Sequence, residues 1–463
     1  MTFDRPRRRG RFRPVLILLA LVAVPALLVS FFFSGPKPTV SLDPKLPGIG
    51  KRTPIVVRVE RPDRVARVRV EVVQGRDVLP VLEETYEPRP RWKLWGRKAP
   101  LTLTAEVGRE TVTGLRAGKA TVRATAERAG TWIRTPASVV TEIELPVRMA
   151  PPALSIASTL HYLAQGGSEA VVYRVSDAAV RHGVEAGAWW FPGFDHPGDG
   201  PGLKLAFFAV PYDMADASPV RLVAEDDVGN RAALTVIDRF TPRPVKTDTI
   251  TVTDPFLARV VPEILEHSPE IADRGSLLES YLAINRDLRQ RNNQTLRQLA
   301  ARSAPRLLWS EPFLPMRNAA VMASFADRRT YFYNGKEVDK QDHLGFDLAS
   351  VERDAVAASN RGTVVLARYL GIYGNAVVID HGLGLQSLYG HLSSLAVAAG
   401  QQVERGQEIG RSGQTGLAGG DHLHFTLLLQ GLPVTPVEWW DPHWVQDRVF
   451  RKLPATIPTR SRP

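Results

Sequence analysis

The sequence contains no cysteine among its 463 residues. This absence excludes disulfide bonds, thiolate zinc sites, iron–sulfur clusters and cysteine nucleophiles. A metal site in this chain must therefore use histidine, aspartate or glutamate. The sequence also lacks the pattern H-E-x-x-H, which excludes the helical zinc site of zincin proteases.

Acidic residues are fewer than basic ones, 48 against 59, which leaves a net charge of +11. The densest basic cluster directly precedes an apolar run, and no groove of interleaved basic and aromatic residues follows it. We therefore expect no nucleic-acid partner. The cluster consists of six arginines in residues 1–14: Arg5, Arg7, Arg8, Arg9, Arg11 and Arg13.

The apolar run covers residues 15–33 and contains no charged residue. A helix of that length spans roughly 28 Å, about the thickness of a hydrocarbon core. No A-x-A cleavage site follows it, which favours an uncleaved anchor over the alternative of a cleaved signal peptide. The preceding arginines place residues 1–14 in the cytoplasm. We expect a single-pass protein of the cytoplasmic (inner) membrane, with the remaining chain on the periplasmic or extracellular side.

The segment between the anchor and residue 250 alternates apolar and polar residues with the two-residue period of half-buried strands. Turn signals recur about every ten residues, and the pair Pro151–Pro152 interrupts the pattern. The sequence therefore predicts a mainly β protein with two immunoglobulin-like sandwiches, over 37–150 and 151–250.

A helical period replaces the strand pattern over 254–304. Asp254 is predicted as an N-cap with Pro255 in the first turn, and Ser276 with Glu279 forms a capping-box pattern. We expect a helical linker here. Two alternatives stay open, namely packing across the junction with the C-terminal domain and a lid that covers that domain.

Short strands and many glycines return over 306–446, before a predicted tail over 447–463. Six of the ten histidines lie in the last 121 residues. They include three short groups: His343 with Asp347, His391 after Tyr389-Gly, and His422 with His424.

These groups have the residue types of a metal site. Residues i and i+2 of a strand share a face about 6.7 Å apart, so His422 and His424 either share one ion or flank its water. Asp347 reaches the same ion as His343 only if the chain bends, which Gly345 permits. A histidine, a carboxylate and a second histidine suit one Zn²⁺ and leave a position for water. The groups contain no glutamate base, so histidines must transfer the proton.

Residues 343–442 resemble the lysostaphin/LytM-type zinc endopeptidases of bacterial cell walls. The resemblance is carried by HLGFDLAS, LGIYGNAVVIDHGLGLQSLYGHLSSL, GQQVERGQEIGRSGQTG and GGDHLHFTLLLQGLPVTP. It implies a small antiparallel β-sheet metallopeptidase domain with a groove over the metal. It further implies that one zinc is bound by His343, Asp347 and His424, and that the catalytic water is flanked by His391 and His422.

Three positions depart from the family pattern: Ala355 and Asp421 replace common prolines, and a common F-G-x-R reads Phe325-Ala-Asp-Arg328. None is one of the five functional positions. Outside those five, we expect His381 to form a structural hydrogen bond at a turn. We expect Trp439, Trp440 and Trp444 to pack in the core rather than line the groove.

The predicted anchor and the resemblance together imply a membrane-anchored endopeptidase that cleaves the peptide cross-links of peptidoglycan stem peptides. One alternative is a catalytically silent protein that binds peptidoglycan or activates another hydrolase. Another is a peptidase of extracytoplasmic proteins. We interpret the sandwiches as spacers, and docking of an unknown cell-wall or division protein is the alternative.

Overall fold

The computed structural model describes residues 17–25, 37–90, 96–130, 138–198 and 200–454. Within the predicted anchor, residues 17–25 form a helix, α1, and the other anchor positions lie outside the described residues. In the part of the chain described here, no helix is both long and apolar enough to cross a bilayer. The predicted basic tail over 1–14 also lies outside the described residues.

The chain divides into two compact units, one of Met1–Pro151 with Asp226–Asn230 and one of Pro152–Glu225 with Arg231–Pro463. The first unit contains two antiparallel sheets, in the strand orders β4-β3-β6-β7 and β1-β2-β5. Its strands are β1 (Thr39–Pro44), β2 (Thr53–Glu60), β3 (Val65–Gln74), β4 (Asp77–Thr85), β5 (Leu101–Val107), β6 (Gly118–Arg128) and β7 (Val139–Val147).

Alternate residues of these strands point into one core that both sheets share. Val57 of β2 and Val70 of β3 are fully buried, whereas their neighbours along each strand are more exposed. This is the two-residue period on which the strand prediction rests. The immunoglobulin-like assignment itself stays a prediction.

The second unit begins with ten short strands in two four-stranded sheets and one parallel pair. The sheet orders are β13-β14-β10-β8 and β12-β11-β15-β16, and β17 pairs with β9. The strands are β8 (Leu154–Ile156), β9 (Tyr162–Ala164), β10 (Ser168–Val175), β11 (Ala179–Ala186), β12 (Trp189–Pro192), β13 (Phe194–Asp195), β14 (Leu203–Ala209), β15 (Arg221–Asp226), β16 (Arg231–Thr235) and β17 (Arg239–Thr241).

A strand and a set of helices follow. Thr253, and not the predicted Asp254, caps the first of these helices by accepting from the N–H of Phe256. Asp254 is instead the first helical residue, because the Thr253 hydroxyl is the group that reaches the free N–H. Ser276 caps the next helix by accepting from the N–H of Glu279, as the capping-box spacing predicts. The elements are β18 (Thr247–Val252), α2 (Asp254–His267), α3 (Leu277–Ala283), a π-helical turn (Ile284–Leu288) and α4 (Arg289–Ala300).

The rest of the unit is built on one antiparallel sheet, in the order β19-β22-β30-β26-β25-β24-β28, with β31 beside β30. β18 extends a second sheet by pairing in parallel with β20. The strands are β19 (Ala320–Ala323), β20 (Asp327–Tyr333), β21 (Lys336–His343), β22 (Phe346–Ala349), β23 (Ala355–Ala357), β24 (Gly362–Tyr369), β25 (Asn375–Gly382), β26 (Leu385–Leu392), β27 (Ser394–Leu395), β28 (Gln402–Val403), β29 (Glu408–Arg411), β30 (Leu423–Leu429) and β31 (Leu432–Val434).

Two short helices, α5 (Val437–Trp440) and α6 (Pro442–Arg448), close this unit against its first sheets. Trp439 is fully buried, lies edge-on to Phe207 at 5.6 Å between ring centroids, and donates a hydrogen bond to the Ser168 hydroxyl at 2.8 Å. Beyond α6, Lys452 donates to the buried carboxylate of Glu169 at 2.9 Å. From Pro152 onward, the sheets before and after the helices therefore share one core.

Glu438 of α5 makes the pH dependence of this packing testable. Its carboxylate accepts from the Ser168 N–H at 2.8 Å. Burial is the main reason that its pKa is raised to about 7, although the hydrogen bonds from Ser168 act in the opposite direction. The contribution of the Glu438 carboxyl group to the free energy of unfolding is fully present below pH 4.5, the ordinary pKa of a glutamate. This contribution is lost as the pH rises through 7. The loss amounts to at most about 3 kcal/mol.

We expect Glu438→Gln to keep the hydrogen bonds from Ser168 and to abolish this loss, because glutamine does not ionise. Urea unfolding at pH 5 and pH 8 measures the difference, with the exposed Glu404→Gln as the matched control. An unchanged pH dependence in the Glu438 variant would contradict the assignment.

Candidate metal centre

Three neighbouring strands bring the predicted site residues together. β22, β30 and β26 lie side by side, and Asp347 and Gly390 are the register partners of His424 on either side. His343 is the last residue of β21, so it enters the same place from the second sheet. Residues up to 81 positions apart in the sequence thus lie next to one another in the fold.

The donor atoms of His343, Asp347 and His424 converge. Asp347 Oδ1 lies 2.9 Å from His343 Nε2 and 3.0 Å from His424 Nδ1, and the two nitrogens are 3.2 Å apart. Ligands at the Zn–N and Zn–O distances of a tetrahedral site are about 3.3 Å from one another. The donor set and its spacing therefore fit a zinc ion.

The outward nitrogens of both histidines already have oxygen partners. His343 Nδ1 lies 3.1 Å from the carbonyl of Ser324, which can only accept. His424 Nε2 lies 2.9 Å from the Thr426 hydroxyl, whose own proton is directed at the Leu344 carbonyl at 3.0 Å. Each ring thus carries its N–H on the outer nitrogen and presents a lone pair inward, as a metal ligand must.

Asp347 has a second, cationic neighbour. Arg329 donates to its Oδ2 at 2.9 Å, which leaves Oδ1 for the metal. Burial alone raises the pKa of Asp347, but hydrogen bonds with His343, His422 and His424 hold it well below its usual range. Asp347 is therefore ionised at neutral pH.

His391 and His422 flank this centre with 4.8 Å between their ring centroids. Their Nδ1 atoms face carbonyl oxygens of Thr415 at 2.8 Å and Gly420 at 2.9 Å, so each neutral ring carries its N–H on Nδ1 and its lone pair on Nε2. His422 Nε2 also lies 3.5 Å from Asp347 Oδ1. Burial, reinforced by the charges of neighbouring histidines, lowers the pKa of His391 well below its usual value. Burial also opposes the charged form of His422, but Asp347 raises its pKa overall.

Gly345 has a different role from the one that its sequence position suggested. Its φ is not among the positive values of the chain, so conformational freedom is not what the site requires. A Cβ at this position would lie 2.6 Å from both Cε1 and Nε2 of His424 and 2.6 Å from the Thr426 hydroxyl. Glycine is needed because the ring of a metal ligand packs on its Cα.

The metal centre lies in a groove with two chemically different halves. One half, a cavity of about 440 Å³, is lined by eight apolar or aromatic side chains together with all five predicted site residues. The other, about 900 Å³, is lined mainly by charged and polar side chains. Both halves include His343, His424, Tyr373, Arg329 and Arg289.

Residues 247–300 form one wall of this groove. Glu263 of α2 accepts from the Gly416 N–H at 2.9 Å and from the Tyr369 hydroxyl at 3.0 Å. Asn292 of α4 accepts from the Ile372 N–H at 3.0 Å. The segment predicted as a helical linker is thus hydrogen-bonded to the loops around the metal centre. Of the possibilities that the sequence left open, this arrangement agrees best with a segment that covers the C-terminal domain.

Sequence reasoning missed Arg329, Thr426 and the carbonyl of Thr415. The F-A-D-R motif directed attention to Arg328, which pairs with Asp342 at 3.9 Å. Neighbouring residues of a strand point to opposite faces of the sheet. This alternation along β20 is the sequence signal that distinguishes Arg329 from Arg328. Partners such as the Thr415 carbonyl carry no residue signature at all.

The remaining predicted residues lie away from the metal. His381 is buried within β25 rather than at a turn, and its nitrogens lie 2.7 Å from the Arg361 carbonyl and the Ser387 hydroxyl. Trp439 packs in the core as expected, and Trp440 lies against Phe346 and Phe425.

A His–Asp–His donor set on a β-sheet, flanked by two further histidines in a groove, defines a metal-dependent hydrolase type of site. Residues 341–436 match the model of Peptidase family M23. Over this segment, the chain is therefore similar to the M23 peptidases.

Relatives share this part of the chain. Peptidoglycan DD-endopeptidase ShyA of Vibrio cholerae is 32% identical over 169 residues, 36% of this chain and 36% of the relative. Murein hydrolase activator EnvC of Escherichia coli is 40% identical over 95 residues, 20% of this chain and 23% of the relative. A solved zinc-containing peptidase from Vibrio cholerae is 31% identical, covering 28% of this chain and 39% of that one, with a TM-score of 0.25. The chain thus spans about a third or less of the curated relatives named here.

We expect Gly345→Ala to weaken zinc binding strongly, because the added methyl group displaces the His424 ring. Competition with a chromophoric chelator measures the affinity. Gly420→Ala is the matched control, since a methyl group there meets nothing within 4 Å. Equal affinities in the two variants would contradict the packing argument.

Thr426→Val keeps the shape of the side chain and removes the acceptor for His424 Nε2–H. We expect zinc affinity to fall about 10- to 100-fold, as for other outer-shell partners of metal-bound histidines. The same chelator competition detects the loss. Wild-type affinity in the valine variant would show that Thr426 does not set the orientation of the ring.

Proposed function

We propose that this protein is a zinc-dependent endopeptidase that cleaves the peptide cross-links of peptidoglycan. The observation that carries the proposal is the convergence of His343, Asp347 and His424, with His391 and His422 beside them in an open groove. Two findings support the substrate class: the family match and the relative named as a peptidoglycan DD-endopeptidase.

The residues present fit the chemistry of peptide hydrolysis. When bound, zinc supplies a water of lowered pKa, about 7, and polarises the carbonyl of the scissile bond. In this proposal, Nε2 of His391 or His422 accepts the proton of the water, and one of these two rings returns a proton to the leaving amine. His391 has a φ of +64°, and a strained backbone of this kind is typical of functional positions.

We further propose that the N-terminal apolar run anchors the protein in the cytoplasmic membrane, with the peptidase domain outside the cytoplasm. The proposal rests on the 19 uncharged residues after Pro14 and on the arginines before them. It is consistent with a peptidoglycan substrate, which lies on that side of the membrane.

A second candidate function is activation of another murein hydrolase without cleavage by this protein. The relative named as a murein hydrolase activator is the observation that favours it. This chain retains all five site residues in one cluster, and a silent domain has no need of them.

The two functions separate in one experiment with the purified full-length protein, zinc-loaded, on murein sacculi. We expect loss of cross-linked muropeptide dimers, measured by chromatography. For His391→Ala, we expect stoichiometric zinc and at least about a 100-fold lower rate, because general-base catalysis is lost.

His443→Ala serves as the control, because His443 is exposed and outside the groove. Full activity in a zinc-loaded His391 variant would contradict the mechanism. Intact cross-links with the zinc-loaded wild type would overturn the endopeptidase proposal and favour the activator.

A further inference from the structure

The charged half of the groove is predominantly basic. Two acidic side chains, Asp287 and Asp342, accompany five basic ones. This half adjoins the metal centre, because His343 and His424 belong to its lining. Its basic residues are Arg286, Arg289, Arg328, Arg329 and Lys340.

Four of the five have a carboxylate partner. Arg286 donates to Asp339 at 2.9 Å and Arg329 to Asp347 at 2.9 Å. Arg328 lies 3.9 Å from Asp342, and Lys340 lies 2.9 Å from Glu337. Within the described residues, Arg289 alone among them has no acidic partner.

Arg289 is held in place by neutral groups. It follows the π-helical turn, and its backbone N–H reaches back to the carbonyls of Ile284 and Arg286. Its side chain donates from Nε to the Asn285 carbonyl at 3.0 Å and from Nη2 to the Asn285 side chain at 2.5 Å. These two bonds orient the guanidinium without an ion pair, so its remaining N–H donors keep the full positive charge. The side chain lines both halves of the groove.

From this geometry we infer that Arg289 is a specificity-determining residue, which binds a free carboxylate of the substrate close to the scissile bond. The substrate class is then an acidic peptide strand rather than a neutral one. A guanidinium suits this task because its fork matches a carboxylate. The inference rests on the proposed function for the identity of the reaction, but Arg289 lies outside the matched family segment of 341–436.

The test uses two cross-linked peptides that are identical except that the carboxylates beside the cross-link are free in one and amidated in the other. We expect the zinc-loaded wild type to prefer the free acid about tenfold in kcat/KM, the size of one charge-assisted hydrogen bond. Arg289→Gln should lose that preference, because its kcat/KM should fall for the free-acid peptide and stay unchanged for the amidated one. Arg289→Lys should recover part of the preference.

Arg291→Gln is the matched control, because Arg291 is exposed on the same helix and lines neither half of the groove. Equal rates of the wild type on the two peptides would overturn the inference and leave the proposed function intact. An equal loss on both peptides in Arg289→Gln would also overturn it, since that pattern indicates a structural role.

Binding provides a readout that does not depend on cleavage. Calorimetry with the zinc-loaded His391→Ala protein should show tighter binding of the acid than of the amide, and adding Arg289→Gln should remove the difference. If neither peptide is cleaved by the wild type but this preference is found, the proposed function fails and the inference stands. Equal affinities would overturn the inference.

Discussion

The structure depends on the convergence of three metal-ligand atoms, His343 Nε2, Asp347 Oδ1 and His424 Nδ1, between β21, β22 and β30. Each is fixed from behind, His343 by a carbonyl, His424 by a hydroxyl and Asp347 by a guanidinium. Without a cation, this arrangement would bring buried acceptors together without donors, which is costly. The burial that surrounds the site and the glycine that faces His424 both follow from this constraint.

The groove is assembled from more of the chain than the matched family segment. β18 joins the second sheet, α2 is hydrogen-bonded to the loop at Gly416, and α4 is hydrogen-bonded to the loop at Ile372. The metal centre of the matched segment is thus combined with a wall from outside that segment. Substrate choice is set by walls rather than by metal ligands, so this wall is where the specificity of the protein is to be sought.

Spacing and residue type drew attention to the three groups that contain the five histidine and aspartate positions, because metal chemistry restricts the residues that can serve. The division into metal ligands and flanking histidines came only from the family resemblance. The strand periods over 52–147 were likewise visible, since one face of each strand is buried. The reason for Gly345, the choice between Arg328 and Arg329, and the wall formed by 247–300 depend on contacts distant in sequence. No local pattern encodes such contacts.

The most direct test of the central claim is zinc-dependent turnover of murein. The full-length protein is stripped of metal with a chelator, incubated with sacculi, and assayed again after one equivalent of zinc is restored. The account predicts that cross-linked dimers persist without metal and disappear once zinc is added. Unchanged cleavage by the metal-free protein, or intact dimers after zinc has been bound, would contradict it.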